Sequence, residues 1–509
     1  MQPRPPYLVG ADIGTSGFKT CLIDARGTVL GAASRELTTA HPHPGWCEQD
    51  PEDWYRAFGE TLLEAREQAG VAAPDIAALC IDAAAHTPVL TDEAGSVLRP
   101  AIMWTDQRTG EQVRRLEAEH GDEIFAIGYQ AVNPTWTLPQ LLWVAENEPE
   151  VARRTARVFI AKDYLRWRLT GAWGTDPIDA MSTLLFDARR RRWSPRLIEL
   201  ARFRPEQFPP VQAPSSVAGE VLPQPAQELG LEPGTPVITG TSDSALEMYG
   251  AGAVEPGQCV VKLATAAYTN VVTDSARPHR RTLTYYHVVP DMWYSVAATN
   301  SCASALRWFR DVFCRHEVHR AESEGGSAFA MIDELAASAP AGSEGVLFHP
   351  YLLGERSPHW DPDLRASLVG LSMRHDIRHV ARAVLEGIAF SLRDCLSSIE
   401  SLGFTTHEAR IIGGGAASPL WRQITSDVLG LPLVYPENAD ASFGAALLAG
   451  VGIGVFTDER DAVKRCVKLR TRTEPDKSRN EQYQEIYELY RMTHAGLADV
   501  YHRARRTFG

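Results

Sequence analysis

The segment "LVGADIGTSGFKTCLID", residues 8–24, places a carboxylate and glycines in a short turn between two apolar runs. Backbone amides in such a turn can point at an anion, and Asp12, at the end of the first run, can hold a metal ion through water. Gly14 and Gly17 equally suit a plain hairpin, because a tight turn needs glycine in either case. The turn therefore indicates either a phosphate-binding loop or a simple hairpin.

Two familiar phosphate-binding patterns are excluded here. A Walker loop requires Gly-Lys-Ser/Thr and a following helix, and the dinucleotide fingerprint also continues into a helix. After Gly17, the sequence "FKTCLID" keeps a strand-like alternation and passes through "ARGT" into "VLGAAS". The segment thus predicts a strand, the turn, a second strand, a hairpin and a third strand.

A second carboxylate that could do chemistry is Asp243, in "PGTPVITGTSDSALEMYGAG", residues 233–252. An apolar strand, residues 237–239, runs into a small-residue turn and then a helix. A helix N-terminus stabilises the charged form of an aspartate, which keeps it able to accept a proton. The competing interpretation is that Asp243 only caps the helix.

Two further turns are built from small residues. "QCVVKLATAAYTNVVTD", residues 258–274, repeats the strand-turn-strand pattern of residues 8–24, with its turn at residues 264–267. "ARIIGGGAASPLWRQITSDVLG", residues 409–430, predicts a strand, a triple-glycine turn and a helix. Three glycines let a flat ring or a ribose lie against bare backbone, although they could simply connect the two elements. We favour a ligand contact at this turn.

Helical stretches such as residues 53–68 alternate with short apolar strands such as "IAALCIDAAAH", which ends near His86. This alternation predicts an α/β fold, and the 509 residues are enough for two domains with separate cores. The two strand-turn-strand units suggest two lobes of related design. The glycine-rich residues 249–258 form a reasonable crossing point between them.

Composition excludes several classes of partner. The formal net charge of -13 argues against nucleic acid or an anionic membrane surface as the main partner. The 8 cysteines include no Cys-x-x-Cys pair, which suits unpaired thiols in a reducing compartment and no metal site. The sequence has no signal-like segment and no run of about 18 apolar residues. We therefore expect a cytoplasmic protein.

Five motifs, "DIGTSG", "GTSDSA", "PYLLGERSP", "LVGLSMRHDIRHVARAVLEG" and "IIGGGAAS", occur in this order. Together they resemble the FGGY carbohydrate kinases, and within that family they are most like the xylulokinases. "HPGWCEQDPEDWY", residues 43–55, and "KDYLRWRLTG", residues 162–171, are similar to xylulokinases in particular. The resemblance covers most of the chain, from about residue 7 to beyond residue 450.

The resemblance implies an α/β protein with two ribonuclease-H-like domains of the actin, hexokinase and Hsp70 type around a central cleft. Residues 1–250 would form an N-terminal domain with the sugar site, the first phosphate loop and the catalytic base. Residues 251–509 would form a C-terminal, nucleotide-binding domain. The implied cofactors are ATP and Mg²⁺, and the implied partner is a small sugar. A homodimer is a further expectation, although no stretch of the sequence shows an interface.

The motif positions also imply individual roles. Asp243 would be the catalytic base, would contact the sugar, and would hold Mg²⁺ together with Asp12. The sugar would also meet His86, Trp104 and Asp106. The phosphate and adenosine contacts would be Gly14, Thr15, Ser16, Gly17, Thr265, Gly413, Gly414, Gly415 and Ala416.

Structural alternatives stand beside three of these assignments. A histidine after an apolar run, such as His86, is often a structural residue. Asp106 could pair with Arg108 at the surface. Lys19, near the first phosphate loop, lies on an alternating strand that can carry it to the solvent side.

Three departures from the xylulokinase pattern bear on the substrate. "AAAHT" at residues 83–87 replaces "GQMHG", so the polar and thioether groups before the histidine are lost. "LATAA" at residues 263–267 replaces Leu-Gly-Thr-Ser-Gly, and alanine adopts a positive φ less easily than glycine. Gln140 stands where a lysine is expected.

The leading hypothesis is ATP-dependent phosphorylation of a terminal hydroxyl of a small open-chain sugar, with D-xylulose converted to D-xylulose 5-phosphate. Another ketose, a polyol or a sugar acid, such as ribulose or gluconate, is the alternative substrate. A second hypothesis is an actin-like or chaperone-like ATPase that drives binding of a protein partner. A third, motivated by "LATAA", is a non-catalytic, nucleotide-switched sugar sensor.

Overall fold

The computed structural model describes residues 6–508, which form 21 strands and 17 α-helices. The strands are β1 (Tyr7–Ile13), β2 (Gly17–Asp24), β3 (Val29–Glu36), β4 (Glu48–Gln49), β5 (Ile76–Ala83), β6 (Pro88–Thr91), β7 (Ala101–Ile102), β8 (Arg157–Ile160), β9 (Phe186–Asp187), β10 (Arg192–Trp193), β11 (Val217–Glu220), β12 (Pro236–Ile238), β13 (Gln258–Leu263), β14 (Ala267–Thr273), β15 (Leu283–Tyr286), β16 (Trp293–Thr299), β17 (Leu347–His349), β18 (Ser367–Val369), β19 (Glu408–Ile412), β20 (Leu433–Pro436) and β21 (Leu469–Thr473). The helices are α1 (Pro51–Ala69), α2 (Gly110–Gly128), α3 (Thr137–Asn147), α4 (Pro149–Arg154), α5 (Ala161–Thr170), α6 (Pro177–Ser182), α7 (Pro195–Leu200), α8 (Pro223–Leu229), α9 (Asp243–Gly250), α10 (Ala303–Phe313), α11 (Arg315–Glu324), α12 (Ala328–Ala337), α13 (Ile377–Glu400), α14 (Pro419–Leu429), α15 (Ala441–Gly452), α16 (Glu459–Cys466) and α17 (Lys477–Phe508).

These elements form two compact units, and the chain passes between them more than once. The first unit contains the chain up to Val254, together with Thr284–Trp293 and Asn438–Lys468. The second unit contains Glu255–Leu283, Tyr294–Glu437 and the chain from Leu469 onward. Because two later segments belong with the first unit, the compact units differ from continuous sequence domains. The boundary between residues 250 and 251 stays a prediction about those sequence domains.

A six-stranded sheet with the order β11-β12-β5-β1-β2-β3 forms the centre of the first unit. The strands β1, β2 and β3 are antiparallel neighbours, which confirms the predicted succession of three strands. The strands β1, β5 and β12 run parallel to one another. The order β3-β2-β1-β5-β12 is the one expected of a ribonuclease-H-like core.

A seven-stranded sheet with the order β15-β16-β14-β13-β19-β20-β21 forms the centre of the second unit. Here β13 and β14 are antiparallel, whereas β13, β19 and β20 are parallel. The five strands β16-β14-β13-β19-β20 therefore repeat the order of the first sheet. The predicted echo between residues 8–24 and 258–274 is a structural repeat, and the α/β fold with two ribonuclease-H-like domains is confirmed.

Each unit has its own hydrophobic core, as chain length predicts. The first core includes Trp54 and Phe58 of α1 with the inner face of its sheet. The second includes Phe390 of α13 and Trp421 of α14. The sheet edge that could carry a site in each unit is thus held in place by that unit's own hydrophobic core.

The structure gives the state of the cysteines and the character of the helices. All 8 cysteines are free thiols, as the sequence predicts, and only Cys47 is partly exposed. Among residues 6–508, no helix combines the length and apolar character needed to cross a bilayer.

Two glycines allow α15 to lie directly against its neighbours in the first unit. A Cβ on Gly10 of β1 would stand 1.8 Å from the Ser442 carbonyl oxygen. A Cβ on Gly444 of α15 would stand 2.0 Å from the Leu246 carbonyl oxygen of α9. Neither contact can be relieved by a side-chain rotation, because both partners are backbone atoms. The close packing fixes α15, whose N-cap residue is Asp440.

We expect Gly10→Ala to lower the free energy of unfolding by about 1–3 kcal/mol, because the new Cβ must displace the backbone of α15. Gly496→Ala on α17 is the matched control, since nothing lies within 4 Å of its Cβ position. Alanine in a helix interior is favoured over glycine by up to about 1 kcal/mol, so the control should be neutral or stabilising. Urea unfolding of both variants measures the difference. A Gly10→Ala protein as stable as wild type would contradict the close packing of α15 on β1.

Candidate active site

Three aspartates lie at the carboxyl ends of three neighbouring parallel strands. Asp12 of β1 stands opposite Asp82 of β5 in the strand register. Beyond β5, Ala83 forms a parallel β-bridge with Ser242, the residue before Asp243. The register therefore brings the three carboxylates to one edge of the first sheet.

Burial and mutual repulsion shift the protonation of the two carboxylates on the strands. Burial, followed by the charge of Asp243, raises the pKa of Asp12 to about 7. Burial, followed by the charge of Asp12, raises the pKa of Asp82 well above its ordinary range. Asp12 Oδ1 and both carboxylate oxygens of Asp82 are buried and accept no hydrogen bond from other residues. A hydrogen bond between the two carboxyl groups lowers the pKa of Asp12 and raises that of Asp82. Buried carboxylates that have only each other as partners are stabilised by a cation.

A divalent cation fits this edge only with ligands from outside the protein. Within residues 6–508, no group of three His, Cys, Asp or Glu side chains is arranged to hold a metal ion alone. Mg²⁺ commonly keeps several waters and takes one or two carboxylates together with substrate phosphates. The donor set therefore fits a cation that arrives with a nucleotide better than one caged by protein ligands.

Asp243 is the first residue of α9, and Ser242 occupies the N-cap position. The interpretation of Asp243 as the helix cap is therefore wrong. Asp243 Oδ1 accepts hydrogen bonds from the Ser244 amide at 2.6 Å and from the Ser244 hydroxyl at 3.3 Å. The residue is only half-buried, and the helix N-terminus stabilises its charged form. Its carboxylate can thus act as a base.

The turn between β1 and β2 leaves two backbone amides available to an anion. The Gly14 amide donates to the Gly17 carbonyl at 2.9 Å, but the amides of Thr15 and Ser16 have no acceptor in the part of the chain that the structure describes. Neither glycine has a positive φ. Instead, a Cβ would stand 2.9 Å from the Gly17 oxygen at Gly14 and 3.1 Å from the Arg35 oxygen at Gly17. Space, rather than φ, requires glycine here.

Trp104 and Lys19 flank this turn. Trp104 Nε1 donates to Thr15 Oγ1 at 2.8 Å, which leaves only the ring of Trp104 for other contacts. Lys19 Nζ forms an ion pair of 2.8 Å with Asp440 Oδ2. Burial lowers the pKa of Lys19, but the charge of Asp440, its hydrogen bond to Lys19 and smaller charge effects together outweigh burial, and the pKa is raised overall. Lys19 is thus partly exposed and held by α15 rather than simply turned to solvent.

His86 is held in one tautomer. Its Nδ1 donates to the Ser182 carbonyl at 2.5 Å, and the Trp136 ring lies perpendicular to the imidazole with the ring centres 4.5 Å apart. Burial lowers the pKa of His86 to about 4, although the Ser182 carbonyl opposes the shift. A neutral ring with its proton on Nδ1 presents Nε2 as an acceptor. The φ of His86, 69°, is a left-handed conformation of the kind that clusters at functional sites.

Asp106 belongs to a buried ion pair, so the expectation of a surface pair with Arg108 is wrong. Its oxygens accept two bonds from the Arg108 side chain, at 2.8 and 2.9 Å, and one from the Cys47 amide at 2.6 Å. The Arg108 guanidinium also lies 3.7 Å from the centre of a Trp46 ring. Burial of these charges is tolerated because each has a partner, which offsets the cost of removing it from water. A sugar contact by Asp106 stays a prediction.

A cavity of about 620 Å³ in the second unit joins the turn after β13 to the triple-glycine turn after β19. From the predicted set, Thr265, Gly414 and Gly415 line it. None of residues 264–266 has a positive φ, so the alanines of "LATAA" fit this turn without strain. The altered second turn is therefore compatible with an intact loop.

Gly413 and Ala416 are not among the residues that line this cavity, and their contact with the nucleotide stays a prediction. Gly413 has a φ of 86°, and a Cβ there would stand 2.6 Å from the Leu263 carbonyl oxygen. Ala416 is fully buried in the core. Gly414, with nothing within 4 Å of its Cβ position, presents bare backbone. The triple-glycine turn therefore faces the cavity through Gly414 and Gly415 only.

Sequence reasoning missed other residues at both sheets. Asp82 ends a buried strand next to β1, and the acid at that strand end was the available signal. In the cavity of the second unit, Arg307 of α10, Phe329 and Asp333 of α12, and Ser418 before α14 form further walls. An aromatic ring, a cation and hydrogen-bonding groups are suited to a nucleotide. No local sequence pattern connects these helices with the glycine turn.

Comparisons with known proteins give consistent matches along the chain. Residues 7–250 match the N-terminal domain, and residues 260–453 the C-terminal domain, of the FGGY family of carbohydrate kinases. The chain is 31% identical to a xylulose kinase of Bacillus subtilis strain 168, over 97% of this chain and 98% of that protein. It is 32% identical to a xylulose kinase of Escherichia coli K12, over 96% of this chain and 99% of that protein. The crystal structure of xylulose kinase from Rhodospirillum rubrum superposes with a TM-score of 0.89 and 30% identity, covering 97% of this chain and 100% of that one.

Proposed function

Because this chain belongs to the FGGY family of carbohydrate kinases, we propose that it phosphorylates D-xylulose, with ATP as donor, to D-xylulose 5-phosphate. The chain is an ATP-dependent carbohydrate kinase. The full-length similarity to proteins named xylulose kinase supports the choice of D-xylulose. Ribulose, gluconate or another ketose, polyol or sugar acid is the alternative substrate, motivated by the changed residues before His86.

The observation that carries the proposal is the alignment of Asp12, Asp82 and Asp243 at one sheet edge, where buried oxygens of Asp12 and Asp82 accept no hydrogen bond from other residues. Phosphoryl transfer needs an aligned hydroxyl, a base and positive charge on the phosphates. In the proposed reaction Asp243 accepts the proton of the sugar hydroxyl. The hydroxyl oxygen forms a bond to the terminal phosphorus of ATP, and the bond from that phosphorus to ADP breaks.

We propose Asp12 and Asp243 as the residues that hold Mg²⁺, through water. When bound, Mg²⁺ neutralises charge on the phosphate oxygens. The Thr15 and Ser16 amides, in the turn from Gly14 to Gly17, would donate to a phosphate. These groups supply the positive charge that the acidic sheet edge lacks.

The sugar and adenosine contacts complete the proposal. His86 Nε2 accepts a hydrogen bond from a sugar hydroxyl, and the Trp104 ring covers the sugar. Thr265, Gly414 and Gly415 contact the nucleotide in the cavity of the second unit. The sequence domain at residues 1–250 would thus serve the sugar, and that at 251–509 the nucleotide. A cytoplasmic location and a homodimer stay predictions.

The test is ADP release with Mg-ATP across D-xylulose, D-ribulose, gluconate and a set of polyols. We expect the highest kcat/KM for D-xylulose, with a phosphorylated product. A higher kcat/KM for another compound would replace the substrate and keep the kinase. Sugar binding by calorimetry without product would favour the sugar sensor. ATP hydrolysis that responds to a protein but not to sugars would favour the actin-like or chaperone-like ATPase.

A further inference from the structure

A fully buried ion cluster lies outside the residues that the proposed function uses. Lys162 Nζ is 2.5 Å from Asp163 Oδ1, 3.0 Å from Asp176 Oδ2 and 3.1 Å from Asp179 Oδ2, and none of these side chains is exposed. Arg166 Nη1 lies 3.0 Å from Asp163 Oδ1. Three carboxylates and two cations therefore share a space without solvent.

The charges in this cluster need a reason to be buried. Desolvation of ions is expensive, and a buried ion pair is weak evidence for stability because apolar residues often replace it without loss. The three carboxylates also repel one another: burial, with the charges of Asp176 and Asp163, raises the pKa of Asp179 well above its ordinary range, despite the opposing charge of Lys162. A cluster of this kind is better explained by a geometry that it fixes.

Asp176 connects the cluster to the chain just before the proposed base. Its Oδ1 accepts a hydrogen bond from Thr241 Oγ1 at 2.7 Å, and both side chains are fully buried. Thr241 stands two residues before Asp243. Because Lys162 forms an ion pair with Asp176 Oδ2, the ammonium favours the carboxylate orientation that aims Oδ1 at Thr241.

Asp176 also anchors the helix that orients His86. It is the N-cap of α6, and its Oδ1 accepts the Ile178 amide at 2.9 Å. The helix ends at Ser182, whose carbonyl accepts the Nδ1 proton of His86. A shift of α6 would release that bond and let the imidazole ring turn.

We infer that Asp176, fixed by Lys162, is a positioning residue that sets the geometry of both Asp243 and His86. The inference rests on the proposed function of those two residues. Neither Asp176 nor Lys162 touches the substrates; they act through the strand end at Thr241 and through α6. The "KDYLRWRLTG" motif, which contains Lys162, thereby gains a role.

Thr241→Val removes only the hydroxyl that donates a hydrogen bond to Asp176. We expect kcat with the best sugar to fall about tenfold, since hydrogen bonds to charged groups are among the stronger ones. The KM for ATP should change much less than kcat, because the cavity proposed for the nucleotide lies in the second unit. Thr241→Ser keeps the hydroxyl and should restore kcat to within about twofold. This pair separates the hydrogen bond from the presence of a β-branched side chain.

Thr61→Val is the matched control for loss of a buried hydroxyl. Thr61 is also fully buried in the first unit and bonds Thr20 Oγ1 at 2.7 Å, away from the cluster. We expect it to lower stability without a change in kcat. A kcat for Thr241→Val equal to wild type, or a loss no larger than that of Thr61→Val, would overturn the inference.

A second measurement does not depend on turnover. Proton and nitrogen spectra of protein labelled at histidine report which ring nitrogen of His86 carries the proton, with His86→Gln to identify the signal. We expect protonated Nδ1 in wild type and a mixture of tautomers in Lys162→Met. An unchanged His86 tautomer in folded Lys162→Met would overturn the inference, and if that variant does not fold, the Thr241 pair decides. If wild type phosphorylates no sugar, the proposed function fails, and the spectra still test the positioning.

Discussion

Asp243→Asn is expected to lower kcat for sugar phosphorylation by at least about 10³-fold. The asparagine side chain keeps the shape of aspartate and an oxygen that can accept the hydrogen bond from the Ser244 backbone amide. It cannot take the proton of the sugar hydroxyl. The affinity for ATP should fall much less than kcat, because the nucleotide keeps its cavity in the second unit and Asp12 remains to hold Mg²⁺. ADP release gives kcat, calorimetry gives the Kd for ATP, and thermal unfolding checks that the fold persists.

Asp75→Asn is a suitable comparison for this loss, because it makes the same chemical change at an exposed residue of the first unit. We expect its kcat to equal that of wild type. If Asp243→Asn kept a tenth or more of the wild-type kcat, Asp243 would not be the base. A loss of ATP binding in Asp243→Asn would instead indicate that its main part is to hold the cation with the phosphates.

Local sequence patterns predicted the elements that carry the site. The turn from Gly14 to Gly17 lies between two strands because apolar alternation resumes directly after it. Asp243 opens a helix because a short apolar strand and a small-residue turn precede it. These features depend on residues close together in the chain, and periodicity and turn chemistry report such features well.

Other parts of the site depend on contacts that no local pattern reports. Asp82 became part of it only through the parallel register of β5 with β1. Lys19 pairs with Asp440, 421 positions later in the chain. That contact exists because Gly10 and Gly444 let α15 pack closely in the first unit. Tertiary packing of distant segments therefore decided what the sequence left open.

The departures from the family pattern were also settled by packing rather than by residue type. The alanines of "LATAA" adopt ordinary negative φ values, so the missing glycines do not distort that turn. Gln140, where a lysine was expected, is fully buried and donates to the Thr135 carbonyl at 3.2 Å. Ala84 and Ala85 are buried and directly precede His86, so under the proposed function this segment is the departure that would alter the sugar site. The departures therefore leave the phosphate-binding turn intact, and they affect only the choice of sugar.

Dependence on Mg²⁺ should change with pH because of Asp12. Burial and the charge of Asp243 raise the pKa of Asp12 to about 7, so a proton competes with Mg²⁺ for this carboxylate below that pH. For one competing proton, the apparent KM for Mg²⁺ should rise about tenfold from pH 8 to pH 6. Asp12→Asn removes both the charge and the proton site. We expect it to raise the apparent KM for Mg²⁺ by about tenfold or more and to make this KM independent of pH.

The raised pKa of Asp12 also affects stability: the charged form that favours Mg²⁺ binding at high pH destabilises the fold there. A carboxyl whose pKa is raised in the folded state binds a proton there that the unfolded chain has already released, so its contribution to stability falls as the pH rises toward 7. Without Mg²⁺ at pH 8, Asp12→Asn should therefore unfold at a higher temperature than wild type, whereas Asp499→Asn, at an exposed residue of α17, should not. A wild-type KM for Mg²⁺ that is constant between pH 8 and pH 6, or an Asp12→Asn protein less stable than wild type at pH 8, would contradict this assignment. A variant that is more stable and less active would show that Asp12 is kept for its chemistry at the expense of the fold.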